Sequence, residues 1–490
     1  MSEISITSQE PHELRRALGP VHLVALGIGG IIGAGIFVIT GQAAAQYAGP
    51  GIVISFIIAG LGCAFAGLCY AEFASMIPAA GSAYTYAYAT MGRFVAWVIG
   101  WDLILEYGAA TATVSVGWSG YFVGFMEKQL GLKIPAALAN APFDVEGYDH
   151  FVATGAIINV PAIVLIGFLA TLLVMGIRAT ASFNNAMVLI KLSIVVLVIL
   201  FGLPLIQTEN LTPFIPPNQG EFGQFGWSGV LRASGVIFFA YIGFDAVSVA
   251  AQEAKNPQRD MPIGILGSLA ICTVLYVLMS LTITGLADYT TLNVPNPVFV
   301  ATEAAGPSLS WLGPLVNIAA VVGLATVVLL QIYGQSRIFF AMANDGLFPR
   351  LFARVHPTYR TPYLGTIVTA VCTAIAAGLL PLRILGELVS IGTLAAFVIV
   401  SIGIIVLRYT KPELKRPFRT PFVPLVPLLS ILVCGAMMVW LPGDTWIRLA
   451  VWFFIGLVIY AVYGAHREAT PKWAFEGESP KAPAKASKAA

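Results

Sequence analysis

The chain has 490 residues, 58% of them hydrophobic and only 10% charged, with a net charge of +2. Soluble domains carry about 25% charged residues, so the composition describes an integral membrane protein whose first partner is the lipid bilayer. The small net charge, without a basic stripe interleaved with aromatics, argues against any nucleic-acid partner.

In chain order, residues 1–21 form a polar cytoplasmic N-terminal segment with no apolar core. No cleaved signal peptide is expected there, and the first membrane helix would serve as the targeting signal. A spanning helix needs about 20 mainly apolar residues. Twelve stretches qualify: 22–46, 51–77, 92–123, 154–177, 183–206, 228–252, 263–287, 311–343, 363–381, 387–408, 421–442 and 446–466. The expected fold is therefore all-α, with twelve transmembrane helices. The third and eighth stretches are long enough to tilt or to leave the membrane. Polar stretches near 139–150 and 207–225 read as the main loops of one face. Residues 467–490, rich in Lys, Ala, Pro and Glu, read as a disordered cytoplasmic tail.

With twelve spans both termini share a side. That side carries 20 Lys and Arg residues; the other carries five, Lys128, Lys133, Arg232, Arg383 and Arg448. Cytoplasmic faces hold the excess of positive charge, so both termini are expected in the cytoplasm of a multi-pass cell-membrane protein.

Two spans are interrupted. The first is broken over Gly27-Ile28-Gly29-Gly30-Ile31-Ile32-Gly33-Ala34-Gly35, and the sixth carries Phe238-Phe239-Ala240-Tyr241-Ile242-Gly243-Phe244-Asp245. Four apolar spans lie between them, so they take the same place in two successive groups of five, 22–206 and 228–408. Spans 421–466 follow outside that pair. A break frees backbone N–H and C=O groups inside hydrocarbon, which is tolerable only in a protein-lined cavity. Paired breaks at matching positions point to a substrate site at the bilayer midplane of a secondary transporter. No sequence identity between the halves is visible by eye, so the repeat is inferred from the placement of the breaks.

At the first break, unsatisfied N–H groups open the outer half-helix with a partial positive charge. A carboxylate suits such an end. Close helix packing is the other reading of the same glycines. At the second break, freed carbonyls can accept from an ammonium group, and Phe238 and Phe239 can close over a ligand or simply fill the core. Together the breaks would recognise an α-amino acid.

Lys191 lies about nine residues, or ~14 Å, into the fifth span, near the middle of a ~30 Å hydrocarbon core. Intramembrane ionisable groups are costly and are functional hypotheses by default. Desolvation penalises the charged ammonium, so Lys191 could cycle a proton; a permanently paired structural lysine is the alternative. Glu106 and Asp102 lie in the third span, with Glu106 the expected partner of Lys191. Asp245 is expected to cap the inner half-helix, and Glu72 to pair with a basic loop residue. The run Gln252–Asp260 gates or caps helices.

None of the five cysteines has metal-ligand spacing, and all fall inside apolar spans. The five histidines are scattered over loops and predicted ends. No metal, cofactor or enzyme chemistry is expected.

At these residues the chain resembles the amino acid–polyamine–organocation transporter superfamily. Its closest likeness is the cationic amino acid transporter family in its twelve-helix bacterial form. The matching stretches are Gly29–Phe37, Tyr70-Ala71-Glu72-Phe73 with Gly81-Ser82-Ala83-Tyr84, Phe238–Ala246 with Glu253–Ile263, and Tyr333-Gly334-Gln335-Ser336-Arg337 with Asp345-Gly346-Leu347. The resemblance implies a five-plus-five inverted repeat working by alternating access. It implies a substrate carboxylate on Ile32, Gly33, Ala34 and Gly35, an amino group on carbonyls of Phe239, Ala240 and Ile242, and the Phe239 ring as a gate. Proton-coupled relatives place a span-5 lysine between spans 1, 5 and 8, and Lys191 matches it; Glu106 matches an associated span-3 acid.

The side-chain pocket is expected along Gly323–Leu330, where Thr326 is the one polar side chain. That favours small neutral substrates such as alanine, with cationic substrates as the family's alternative. The expected function is proton-coupled uptake of L-amino acids. An amino acid exchanger, a polyamine carrier and a non-transporting sensor are the alternatives. A small membrane subunit is left open.

Overall fold

The structure, a computed structural model, describes residues 18–76, 82–146, 150–176, 181–244, 247, 254–359 and 361–465. The N-terminal segment up to residue 17, the tail from 466, Asp245 and the pair Gln252-Glu253 fall outside them.

The described chain is almost wholly helical. α1 is Pro20–Ile31, opened by a proline whose missing N–H costs nothing at a helix start. After a break, a helical run over 35–48 (α2) has π-type turns at Gly35–Ile39 and Ala44–Ala48. Gly49, at φ +57°, reverses the chain into α3, Ile52–Met76. Then come α4 (Ser82–Met91), α5 (Arg93–Leu130), α6 (Val160–Val174), α7 (Ala181–Gly202) and α8 (Gly226–Val236). α8 tightens into a 3₁₀ stretch, Ile237–Tyr241. α9 is Pro257–Leu286, α10 Pro297–Ala304, α11 Gly313–Asn344, α12 Tyr363–Leu379, α13 Leu382–Thr410, α14 Leu425–Trp440 and α15 Gly443–Ile459.

Among the described residues, seven helical runs are long and apolar enough to cross a membrane, and four shorter helices, α1, α6, α12 and α14, are equally apolar. Such a chain satisfies its backbone internally, as hydrocarbon requires. α5 packs against α11 and α13, α3 against α9, and α1 against α9. The core is shared by all of these rather than divided into domains.

Four expectations change. The stretch 139–150, read as loop, contains one strand of an antiparallel hairpin, Phe143–Glu146 (β1) against His150–Ala153 (β2). The fourth span therefore starts at Val160, not 154, where the Asn159 side chain accepts from Ala162 N–H as its cap. α5 runs seven residues beyond the expected end of the third span. α4 and α10 are helices in stretches read as connections; both are short, and packing rather than length holds them.

Two of the charged stretches singled out in the sequence are tied down by specific contacts. Glu72 is buried and takes Arg408 through both oxygens, at 3.0 and 2.9 Å, and Arg416 at 3.3 Å. The Thr420 N–H donates to it as well, at 2.8 Å. At the start of α9, Asp260 in its first turn accepts from the N–H of the N-cap Asn256 at 3.2 Å, a helix-capping contact, and Lys255 N–H donates to the Leu18 carbonyl.

Candidate functional site

The two breaks meet. α1 ends where Ile32 turns extended (φ −70°, ψ 98°), its N–H still bonded to Ile28 O at 2.8 Å. The chain becomes helical again at Gly35, where Phe37 N–H reaches back to Gly33 O at 3.3 Å. The donors before Phe37 have no acceptor one turn behind them, which is the general condition of a helix start. In the sixth stretch the 3₁₀ turn ends at Ile242 (φ −60°, ψ 138°), and Gly243 sits at φ +118°. Gly30 and Gly243 touch backbone to backbone: a Cβ on Gly243 would lie 2.5 Å from the Gly30 carbonyl carbon. Gly35 lies on Ala240, and a Cβ there would sit 2.4 Å from Ala240 Cα. Gly27, Gly33 and Gly41 are likewise pressed on Ser268, Val327 and Pro297. Close packing therefore accounts for most of these glycines, and it is the same packing that brings the broken ends together.

Between the breaks lies a small cavity. Gly33, Ala34 and Gly35 line it from one side, Phe239 and Ile242 from the other. Val114 of α5 and Val327 and Gln331 of α11 close it. The free space is about 10 Å³, on the scale of one water molecule, so an amino acid enters only when the walls separate. Ile32 and Ala240 do not line it. The Ala240 carbonyl, expected to hold an ammonium group, lies 2.6 Å from the Tyr276 hydroxyl, which is also 2.7 Å from Ile31 O. One hydroxyl proton thus serves a carbonyl from each break. The Phe239 carbonyl accepts from Ile242 N–H, and Phe239 N–H donates to Ser390 Oγ of α13 at 3.3 Å. Phe238 is fully buried against Phe397, ring centroids 5.3 Å apart, and is core.

Thr326 is not in the cavity wall. Its hydroxyl donates to Gly323 O within its own helix, at 2.7 Å. The polar side chain of α11 that reaches the cavity is Gln331, five residues further on, an amide that directly follows the apolar run Val327–Leu330 and is detectable on that ground. Val114 carried no such signal, since a valine in an apolar helix is what lipid or core would also select.

Lys191 is 1% exposed. Its ammonium donates to Gly29 O and, at 2.8 Å, to Ile32 O, the carbonyl end of α1. A cation belongs at a helix C-terminus, where the unsatisfied carbonyls carry partial negative charge. Its aliphatic stem runs along Gly323 of α11. The expected pairing with Glu106 is not formed: the ammonium is spent on the two carbonyls. Glu106, buried on α5, faces the Gly392 position of α13 instead, beside Asp102. Asp102 is wholly buried, and neither of its oxygens has a hydrogen-bond partner.

The amino acid permease family profile matches residues 18–464. The chain is 46% identical to the branched-chain amino acid permease BcaP of Bacillus subtilis (strain 168), over 94% of this chain and 95% of that one. It is 45% identical to the methylthioribose transporter of the same organism, over 92% and 94%. It is 36% identical to the vacuolar cationic amino acid transporter 4 of Arabidopsis thaliana, over 83% and 66%. These relatives are named as permeases and transporters, not enzymes. A multi-pass chain that folds around two abutting helix breaks and matches them over nearly its full length belongs to the amino acid permease family of the amino acid–polyamine–organocation superfamily.

Proposed function

We propose that this protein is a proton-coupled importer of neutral L-amino acids with small or branched apolar side chains. The observation that carries the reading is the cavity between the breaks. Its walls offer backbone for an α-amino acid and Val114, Val327, Ile242 and Phe239 for a side chain, and among the described lining residues there is no carboxylate to neutralise a cationic one. The name of the branched-chain relative agrees with such walls. Gln331 is a polar group that a sugar hydroxyl could also use, and the relative named for methylthioribose makes that compound the competitor to include.

In this reading the chain crosses the membrane twelve times, with 22–206 and 228–408 as inverted repeats, 421–466 as two added helices and both termini in the cytoplasm. The substrate carboxylate meets the N–H groups of Gly33, Ala34 and Gly35; Ile32 contributes backbone beside them. The amino group meets carbonyls at Phe239 and Ile242, and Ala240 takes part once Tyr276 swings to Ile31. The Phe239 ring closes the path. Lys191, when protonated, holds the carbonyl end of α1; on losing its proton it releases that end. A proton then biases the two access states by its differential affinity for them, which is the only way a ligand can shift such an equilibrium. Glu106 and Asp102, buried in α5, are the acids proposed to exchange that proton.

The test is uptake of labelled alanine, leucine and arginine into proteoliposomes, with and without an inward proton gradient, and with methylthioribose as competitor. Gradient-stimulated uptake of alanine or leucine, poorly competed by arginine, is expected. Uptake that needs internal amino acid and ignores the gradient would make the protein an exchanger. Dominant competition by methylthioribose would replace the amino acid as substrate.

A further inference from the structure

Two apolar helices are too short for the membrane they face. α6 has 15 residues and α12 has 17, lengths of about 22 and 26 Å against a hydrocarbon core of about 30 Å. They pack on each other. The exposed side chains of α6 are Val160, Val164 and Phe168, and α12 continues Ile367, Val371 and Ile375 to Leu379. Residues four apart share one face of a helix, so each helix turns an apolar stripe outward, as lipid requires. The stripes are still apolar at Val160, the first residue of α6, and at Leu379, the last of α12. The neighbouring α5 does not stop there. The Ser119 hydroxyl donates to Asn159 Oδ1 at 2.7 Å, so α6 begins level with Ser119, and α5 goes on to Leu130, about 16 Å farther.

The hairpin β1–β2 is rooted at this step. Asn159 N–H donates to Gly378 O at 3.0 Å, and the Ile157 and Ile158 N–H groups donate to Ala137 O at 2.7 and 3.3 Å. These bonds fasten the segment that carries the hairpin to the ends of α6 and α12. In the hairpin Phe143 pairs with Ala153, Asp144 with Val152 and Val145 with Phe151. Alternate residues of a strand share a face, so Phe143, Val145, Phe151 and Ala153 form one wholly apolar face, and Asp144 lies on the other. Phe143 is 50% exposed and Phe151 62%; Ile157, three residues before Val160, is 67% exposed. Scattered exposed apolar residues need no explanation, but a contiguous set marks a site of contact. A lone two-stranded hairpin is also marginal in water, and this one turns its larger side chains away from the protein.

We propose that the hairpin is a membrane anchor, with the face of Phe143 and Phe151 seated in the lipid leaflet beside the ends of α6 and α12. The occupant of that face is lipid. The face continues through Ile157 into the outward stripe of α6, so one solvent covers both. The hairpin supplies the apolar thickness that the two short helices lack, a mismatch that would otherwise thin the bilayer around them. Asp144, on the opposite face, points to headgroups and water. The paired strands bond their own backbone, with Thr154 N–H on Pro142 O closing the base. That pairing lets an extended segment lie at the headgroup boundary, where open backbone would be costly deeper in. The inference is independent of the transport reading and of which leaflet is the outer one.

The test places a fluorescent label on the hairpin of the purified full chain in phosphatidylcholine nanodiscs, where both faces meet solvent. Phe151→Cys and Asp144→Cys are made separately in a cysteine-free background and labelled with the same thiol-reactive dye. Two quenchers are compared: a phosphatidylcholine carrying a nitroxide near its headgroup, and iodide in the buffer. The Phe151 label should lose most of its emission to the lipid-borne nitroxide and keep it against iodide. The Asp144 label should lose its emission to iodide. A Phe151 label quenched by iodide and untouched by the nitroxide would put the face in water and overturn the proposal. A Phe151 label shielded from both quenchers would mean that protein, not lipid, covers the face, and would overturn it equally. Phe143→Cys, on the same face, has the same expected pattern and serves should Phe151→Cys not fold.

Discussion

Single residues carry the chemistry, and two of them separate coupling from architecture. Lys191 spends its ammonium on the carbonyl end of α1. In Lys191→Ala those carbonyls lose their donor, and gradient stimulation of uptake should vanish while substrate binding survives in part. Uptake that still follows the proton gradient in Lys191→Ala would end the coupling proposal. Glu72 has a different task. It is buried with two arginines and a backbone N–H on it. Removing one member of such a buried set leaves charge uncompensated and costs about 3 kcal/mol. Glu72→Gln should therefore lower the thermal midpoint in detergent, and a midpoint equal to wild type would show that the set does not hold these helix ends together. Lys191 was legible in the sequence as a lone charge deep in an apolar run. Its partners were not: two carbonyls leave no mark on a sequence, whereas Glu106 did, and the reading went to the wrong neighbour.

At the level of elements, the broken helices are fitted to each other as closely as the backbone allows. Gly35 has no space for a methyl group against Ala240. Gly35→Ala should force the breaks apart at a cost of about 2 kcal/mol, cutting uptake steeply while the protein still inserts and purifies. Gly167→Ala is the matched control, since nothing lies within 4 Å of a Cβ there, and it should transport like the wild type. Equal activity of the two variants would show that the close approach has no part in transport. The placement of both breaks could be read from glycine clusters inside apolar runs. The hairpin β1–β2 and the short helices α4 and α10 could not, because each is fixed by neighbours rather than by its own periodicity. Val327 lies in the cavity wall, as expected of the stretch 323–330, but Gln331 and not Thr326 supplies its polar group; which face of α11 turns inward depends on α5, α7 and α12, which pack around it.

For the whole molecule, the prediction concerns sidedness. From the asymmetry of Lys and Arg, the face carrying Lys411 and Lys415 is expected in the cytoplasm. In a cysteine-free background, a cysteine at Lys411 should react with an impermeant thiol reagent only after the membrane is opened, and one at Gly220 should react in intact cells. The reverse pattern would invert the topology and exchange the outer and inner faces of the cavity between the breaks.

The sequence by itself determined that this chain lies in a membrane, where its apolar runs fall, where two of them break and which charge sits among them. Hydrophobicity, glycine content and charge act locally, and each leaves its trace residue by residue. Only the tertiary structure decided that Lys191 holds α1 rather than Glu106, that Tyr276 bridges the two breaks and that Gln331 faces the cavity. Those contacts join residues far apart in the chain, and they depend on helix rotation and approach, which packing sets and a single sequence does not display.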